Sequence, residues 1–232
     1  MKLKDIADRR IRFAPPQPSG GHINLTPRDI LIFELLNRHG PLPSTYLYEL
    51  TRHLGRDRVK LKERLRDLYH GHENPDHVTY LSRPAWQGTY KDRPLVYDLT
   101  PYSKAALETR GIRVIKRRSE HPLHRFMAST VSASLKLYLE SQRREYRDRN
   151  AILNHPKCPP ATKDTDYPFT IPVGDTTIEP DDFFVIQDDK PVFYAVEYDR
   201  KSETIDDSKA RNYLKRRGWP GQARPRGFLG GC

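Results

Sequence analysis

The sequence predicts an α+β protein built in two parts, and three observations predict it. Three helix-forming segments between residues 26 and 70 are followed by two short strand-like runs. Further on, the apolar runs 183–186 and 192–196 are joined by the polar turn Gln187-Asp188-Asp189-Lys190, with Pro191 opening the second run; this is a β-hairpin signature. The two parts also differ in charge, the third helix being strongly basic and the hairpin ends acidic.

A chain of 232 residues can hold two modest domains, each with its own core. The reading divides it into a flexible basic arm over 1–24, a first domain over 25–110, a second over 111–220 and a tail over 221–232. The formal charge of +11 and a pI near 9.6 point to a polyanionic partner, because neutralising phosphates releases counterions. Double-stranded DNA is the expected one. No apolar run approaches the length of a membrane span, and the start MKLKDIADRR lacks the apolar region of a signal peptide. A cytoplasmic protein without a membrane partner is expected. Cys158 and Cys232 make neither a disulfide framework nor a zinc site, so a reducing compartment is the default.

Taken in order, the arm passes through Ala14-Pro-Pro-Gln-Pro-Ser-Gly-Gly21, a composition that buries too little apolar surface to order itself. Thr26-Pro27-Arg28-Asp29 then gives an N-cap, a proline at the first helical position and an acid in the first turn. The helix that follows is apolar on most sides and stops at Gly40-Pro41. A second helix opens at Pro43-Ser44 and reaches about His53, and a third runs from about Asp57 to His70.

In the third helix Leu61, Leu65 and Leu68 make a buried stripe at helical spacing, opposite Arg56, Arg58, Lys60, Lys62 and Arg66. Strand-like runs at 78–82 and 95–99 come next, separated by a loop carrying Lys91 and Arg93. Three helices followed by a two-stranded hairpin is the order of a winged helix-turn-helix. Its third helix would enter the major groove, with the basic side chains mostly on phosphates. The intervening run from His70 to His77 holds three histidines and two acids, but it lacks the second ligand pair of a zinc site and reads as a polar loop.

Residues 110–150 carry eleven bases against four acids, and the stretch after Pro122 reads as one long helix through about Asn150 with an apolar stripe of Phe126, Val131, Leu135, Tyr138 and Leu139. Glu140 is expected to pair with Arg143 or Arg144. A proline-rich loop over 150–165 leads to a strand near 169–173. A last helix, from about Asp206 to Arg217, has acids at its start and bases at its end, matching its dipole.

The hairpin carries the chemistry. Asp181 and Asp182 stand where the first strand begins, and Glu197 and Asp199 leave the second strand on alternate residues, so they share a face. Antiparallel pairing brings the two ends together. Converging carboxylates repel one another unless a cation sits among them, and Mg²⁺ or Mn²⁺ held by carboxylates and water can activate water against a phosphodiester. Ten acids and one base between Asp164 and Asp199 also fit an acidic, solvated hairpin end without a metal.

Pro180-Asp181, the hairpin and Glu197-Tyr198-Asp199 resemble the PD-(D/E)XK nuclease signature. The run EYDRKSET followed by DDSKARNYLKRR resembles the C-terminal part of the replication-relaxation family, proteins of plasmids and mobile elements that carry a nuclease-like fold. The resemblance implies a winged helix followed by a PD-(D/E)XK-like α/β domain, with Asp181, Glu197 and Asp199 as metal ligands and Mg²⁺ or Mn²⁺ as the cofactor. Asp199 stands where the motif puts its lysine, and Lys209 is then the residue that would complete the catalytic set. The function implied is a DNA-binding protein of a mobile element or plasmid, controlling replication, transfer or transcription with a degenerate nuclease-like domain. The alternative is a metal-dependent DNA endonuclease or nickase. No strand pattern follows the last helix, where the nuclease-like fold expects one, which implies a trimmed domain or one completed by another chain, and a homodimer is expected.

Overall fold

Thr26 starts the first helix as its sequence requires. Its side chain accepts from the Asp29 amide while Asp29 reaches back to the Thr26 amide, Pro27 takes the first position, and α1 (Pro27–His39) follows. The computed structural model describes residues 16–18, 21–74, 76–84, 94–115, 122–163, 169–173, 176–187, 190–196 and 198. They form a mixed α+β chain that divides into two compact units, Met1–Ile115 and Lys116–Cys232. Among the described residues no helix is long and apolar enough to cross a membrane.

In the N-terminal unit α1 is the centre of the core, with Ile32, Phe33, Leu35 and Leu36 buried. It is followed by β1 (Leu42–Pro43), α2 (Ser44–Thr51), a single 3-10 turn (Arg52–Leu54) and α3 (Arg58–His70). Next come β2 (His72–Asn74), β3 (Asp76–Val78), β4 (Leu81–Ser82), β5 (Val96–Leu99) and α4 (Pro101–Glu108). Strands β1, β5 and β4 make one antiparallel sheet in the order β1-β5-β4, through Leu42↔Tyr97 on one side and Leu81↔Leu99 on the other.

Four expectations change in this unit. The last two residues before α2 are a strand, because Leu42 and Pro43 lie along β5 and the Ser44 amide donates to the Leu95 carbonyl at 2.8 Å. The expected polar loop from His70 to His77 is the small hairpin β2–β3, with His72 paired to Val78. It turns off α3 at Gly71, whose φ is +71° and whose missing Cβ would stand 1.9 Å from the Val78 carbonyl oxygen, so only glycine fits there. The single strand expected over 78–82 is consequently two, since Tyr80 breaks away to donate its amide to the Leu68 carbonyl. Part of the expected arm is packed as well: Ile23 is 7% exposed, and the His22 ring meets the His72 ring edge-on.

Helix α3 keeps the face the periodicity assigns to it. Leu61, Leu65 and Leu68 are buried, and Asp57 caps the start by accepting from the Val59 and Lys60 amides. Arg64 does not join the exposed bases. Its Nε donates to Asp29 Oδ1 at 3.0 Å, and its Nη2 donates to Asp29 Oδ2 at 2.7 Å and to the Asn24 carbonyl at 2.6 Å. The Asp29 side chain is 1% exposed. The hydrogen bond to Asp29 raises the Arg64 pKa further above its usual value, outweighing the opposing cost of burial.

The C-terminal unit contains α5 (Pro122–Ser141), β6 (Glu145–Arg147), α6 (Arg149–Leu153), α7 (Pro160–Lys163), β7 (Ile171–Val173), β8 (Thr176–Ile178), β9 (Asp182–Gln187) and β10 (Pro191–Val196). The helix expected to run on to about Asn150 stops at Ser141. Arg143 takes the left-handed conformation at φ 57°, and the Arg144 amide returns to the Leu139 carbonyl, a helix stop in which arginine stands where glycine is usual. Glu145–Arg147 then pairs with β9 as a strand, because Tyr146 lies opposite Ile186. Glu140 pairs one turn back with Lys136, not with Arg143 or Arg144. The expected loop over 150–165 contains two short helices, α6 and α7.

The sheet order is β10-β9-β6. Central β9 is buried from Phe183 to Ile186, whereas β10 alternates between exposed and half-buried; the first pattern belongs to a strand covered on both faces and the second to one covered on a single face. Phe184 and Ile186 pack on Leu139 of α5, with Leu135, Tyr146, Tyr194 and Val196 around them. Phe183 stacks on Phe169 with 5.2 Å between centroids.

Replacing Arg64 with methionine leaves the Asp29 carboxylate buried without its guanidinium and should cost about 3 kcal/mol. Urea unfolding checks this, and adding Asp29→Asn to Arg64→Met should recover part of the loss.

Candidate functional site

Two places concentrate side chains able to do chemistry, one in each unit. In the N-terminal unit it is the outer face of α3 and the turn that leads into it. Arg56, Arg58, Lys60, Lys62 and Arg66 are all exposed, as the apolar stripe on the other side of the helix requires. The N-terminal end of this face is organised by α2. Tyr48 donates its hydroxyl to the Arg56 carbonyl at 2.8 Å and lies under the Arg58 guanidinium, 4.7 Å from its ring centroid. Glu49 pairs with Arg58 at 3.6 Å and with Arg52 at 3.1 Å.

Arg52, with 68% of its side chain exposed, extends the basic face and was not predicted. In sequence it is one more residue near the end of the second helix, and only the 3-10 turn after α2 brings it beside Arg58 on Glu49. Lys91 and Arg93, expected to add bases from the loop between β4 and β5, lie outside the described residues.

The second place is the entry to β9. The β9–β10 ladder runs from Pro191↔Gln187 to Val196↔Asp182, so Asp181 and Asp182 stand at the end of the hairpin where β10 finishes. The two acids have different partners. Asp182 accepts from the Phe183 amide at 2.8 Å and stands 3.4 Å from the Arg149 Nε. Arg149, whose side chain is 7% exposed, donates Nη2 to the Pro180 carbonyl at 2.6 Å and lies over the Phe169 ring. One buried guanidinium thus holds the turn before Asp181 and neutralises the acid after it.

Asp181 faces the other way. Its Oδ1 is 2.8 Å from His124 Nε2, in the first turn of α5, and its Oδ2 accepts from the Tyr198 backbone amide at 2.6 Å. The His124 and Tyr198 rings meet edge-on at 5.9 Å. The Asp181 side chain is only 10% exposed. Sequence reasoning missed both His124, 57 positions away in the chain, and Arg149. Nothing in their local sequence sets them apart from other residues of a basic helical stretch.

Glu197, Asp199 and Lys209, the remaining members of the predicted carboxylate and catalytic set, lie outside the described residues. Among the described residues no group of three or more His, Cys, Asp or Glu side chains is placed to hold a metal ion. The donors that are described at Asp181, a carboxylate oxygen and an imidazole nitrogen, are of a kind that fits a divalent cation of intermediate hardness. In the core beside the sheet, burial and then the Asp182 charge push the Tyr146 phenol far above its ordinary pKa, so it stays protonated at any working pH.

Arg149→Met should destabilise the protein by about 2 kcal/mol, since the largely buried Asp182 would lose its cation, and Arg149→Lys should recover part of that. Thermal or urea unfolding of the three proteins measures it.

Comparison with curated proteins and with solved structures gave no match. The family model described as Replication-relaxation matches residues 33–224, from within α1 to beyond β10. On that match, the chain belongs to the replication-relaxation family.

Proposed function

We propose that this protein binds double-stranded DNA through α3 and acts in the replication, transfer or transcription of a plasmid or mobile element. The observation that carries the reading is the division of α3 into an apolar face locked in the core and an outer face with Arg56, Arg58, Lys60, Lys62 and Arg66 exposed. A rigid helix with cations on one side suits a major groove bordered by phosphates. The order α1-β1-α2-α3, then the small hairpin β2–β3 and the strands β4 and β5, with a sheet arranged β1-β5-β4, supports a winged helix-turn-helix, in which the β4–β5 loop with Lys91 and Arg93 is the wing. The family membership supports the plasmid or mobile-element setting. In this reading the C-terminal unit is a degenerate PD-(D/E)XK-like domain that serves as a platform for a homodimer, and the protein works in the cytoplasm.

Alanine at Lys60, Lys62 and Arg66 together should weaken duplex binding. It should also flatten the dependence of log K on log salt by roughly 1 for each phosphate that the variant no longer neutralises. Fluorescence anisotropy at several salt concentrations measures both, and a triple variant with the wild-type slope would mean that α3 does not face the DNA.

The second reading, a Mg²⁺- or Mn²⁺-dependent endonuclease or nickase, is favoured by one observation: Asp181 is presented, nearly buried and fixed by the Tyr198 amide, at the end of the hairpin where β10 finishes. The ligands would be Asp181, Glu197 and Asp199, and the cation would polarise a phosphodiester or its attacking water. Asp199 adds repulsion against phosphate where a lysine would stabilise developing charge, and Lys209 is the residue left to supply that charge. Cleavage is therefore expected to be weak or absent. Supercoiled plasmid incubated with protein and Mg²⁺ or Mn²⁺ tests this, and robust nicking that Glu197→Ala removes would make the enzyme the first reading.

A further inference from the structure

The first turn of α5 sets an imidazole against Asp181, and the carboxylate reading of the site makes no use of it. His124 Nε2 and Asp181 Oδ1 are 2.8 Å apart, with the two side chains 21% and 10% exposed. The other Asp181 oxygen is committed to the Tyr198 amide. A backbone donor of this kind fixes the orientation of a metal-ligating carboxylate and leaves one oxygen for the ion. The Tyr198 ring also bounds the His124 ring, so both donors are held.

Two ligand atoms that each stand about 2.1 Å from one ion, at right angles, are about 3.0 Å apart. The observed separation is within a few tenths of an ångström of that edge. The same two atoms can therefore become adjacent corners of a coordination sphere when the imidazole turns its Nε2 from Asp181 toward a bound ion. We propose that His124 is a ligand, alongside Asp181, to the divalent cation of this site, and that the site selects a first-row transition ion such as Mn²⁺ or Co²⁺ over Mg²⁺. The proposal rests on the reading of Asp181 as a cation ligand and extends it to the class of ion. Its physical basis is donor softness. An imidazole nitrogen suits the transition ions, whereas Mg²⁺ takes oxygen donors and keeps most of its water. Among the transition ions affinity should rise from Mn²⁺ to Co²⁺.

The test uses the full chain and four proteins: wild type, His124→Gln, His124→Ala and Asp181→Ala. Each is titrated calorimetrically with MnCl₂, CoCl₂ and MgCl₂, and the Mn²⁺-loaded wild type is examined by pulsed electron paramagnetic resonance. Glutamine keeps a donor for Asp181 but removes the imidazole, so it separates a ligand from a hydrogen-bond partner. The expected result is Mn²⁺ and Co²⁺ binding that falls at least roughly tenfold in His124→Gln, the scale on which ligand environments act. Mg²⁺ binding should change little, and the spin echo of the wild type should be modulated by a directly bound imidazole nitrogen. The proposal is overturned if Asp181→Ala abolishes Mn²⁺ binding while both His124 variants bind as tightly as wild type and no nitrogen modulation is seen. In that case the cation reading stands and His124 is only a hydrogen-bond partner. If the wild type binds none of the three ions, the reading of Asp181 falls and the proposal with it. The echo measurement on the wild type decides the matter even if a His124 variant does not fold.

Discussion

The Asp29–Arg64 pair is the constraint on which the N-terminal unit turns. Asp29 lies in the first turn of α1 with its carboxylate removed from water, where an unpaired charge is untenable. Its oxygens take the Thr26 amide and hydroxyl and the Arg64 guanidinium, so one side chain both starts α1 and ties α3 to it. Arg64 in turn holds the Asn24 carbonyl, which brings the end of the N-terminal segment under the same clamp. Together with Leu61, Leu65 and Leu68, this fixes the rotation of α3 about its axis. The outward direction of Arg56, Arg58, Lys60, Lys62 and Arg66 is the consequence. The basic face is therefore a product of core packing as much as of the residues that form it.

Arg149 has the equivalent part in the C-terminal unit. The β9 strand is apolar on both faces, so the charges at its entry cannot follow it into the sheet and must be satisfied at the edge. A nearly buried arginine at the start of α6 takes the Pro180 carbonyl and neutralises Asp182, and this frees Asp181 to face His124 and the Tyr198 amide. Two adjacent acids thus acquire different partners: Asp182 is held by Arg149, and Asp181 by His124 and the Tyr198 amide. Glu197 and Asp199, the other carboxylates expected to converge with Asp181, lie outside the described residues.

The two halves of the functional reading are linked by charge. A strongly basic chain attracts DNA wherever its cations are exposed, yet the segment around the hairpin is acidic and would repel a phosphate backbone. A divalent cation at Asp181 would offset part of that charge.

The sequence by itself determined what short-range physics determines. The cap at Thr26, the stripe and basic face of α3, the start of α5 at Pro122 and the β9–β10 hairpin with Asp181 at its mouth all follow from capping, side-chain periodicity and turn chemistry within a few residues. The family resemblance was legible on the same residues, Pro180-Asp181 and the run after Val196. Tertiary structure alone decided what depends on a distant partner. Leu42–Pro43 is a strand only because β5 lies beside it, and Glu145–Arg147 leaves the helix only because Tyr146 finds Ile186 on β9. Arg64 looks like its exposed neighbours until Asp29, 35 positions away, draws it inward. His124 carries no signal of its own until the fold sets it on Asp181. Periodicity records which face of an element is buried, but the choice among chemically similar side chains is made by whichever buried charge needs a partner, and that partner is fixed only when the chain closes on itself.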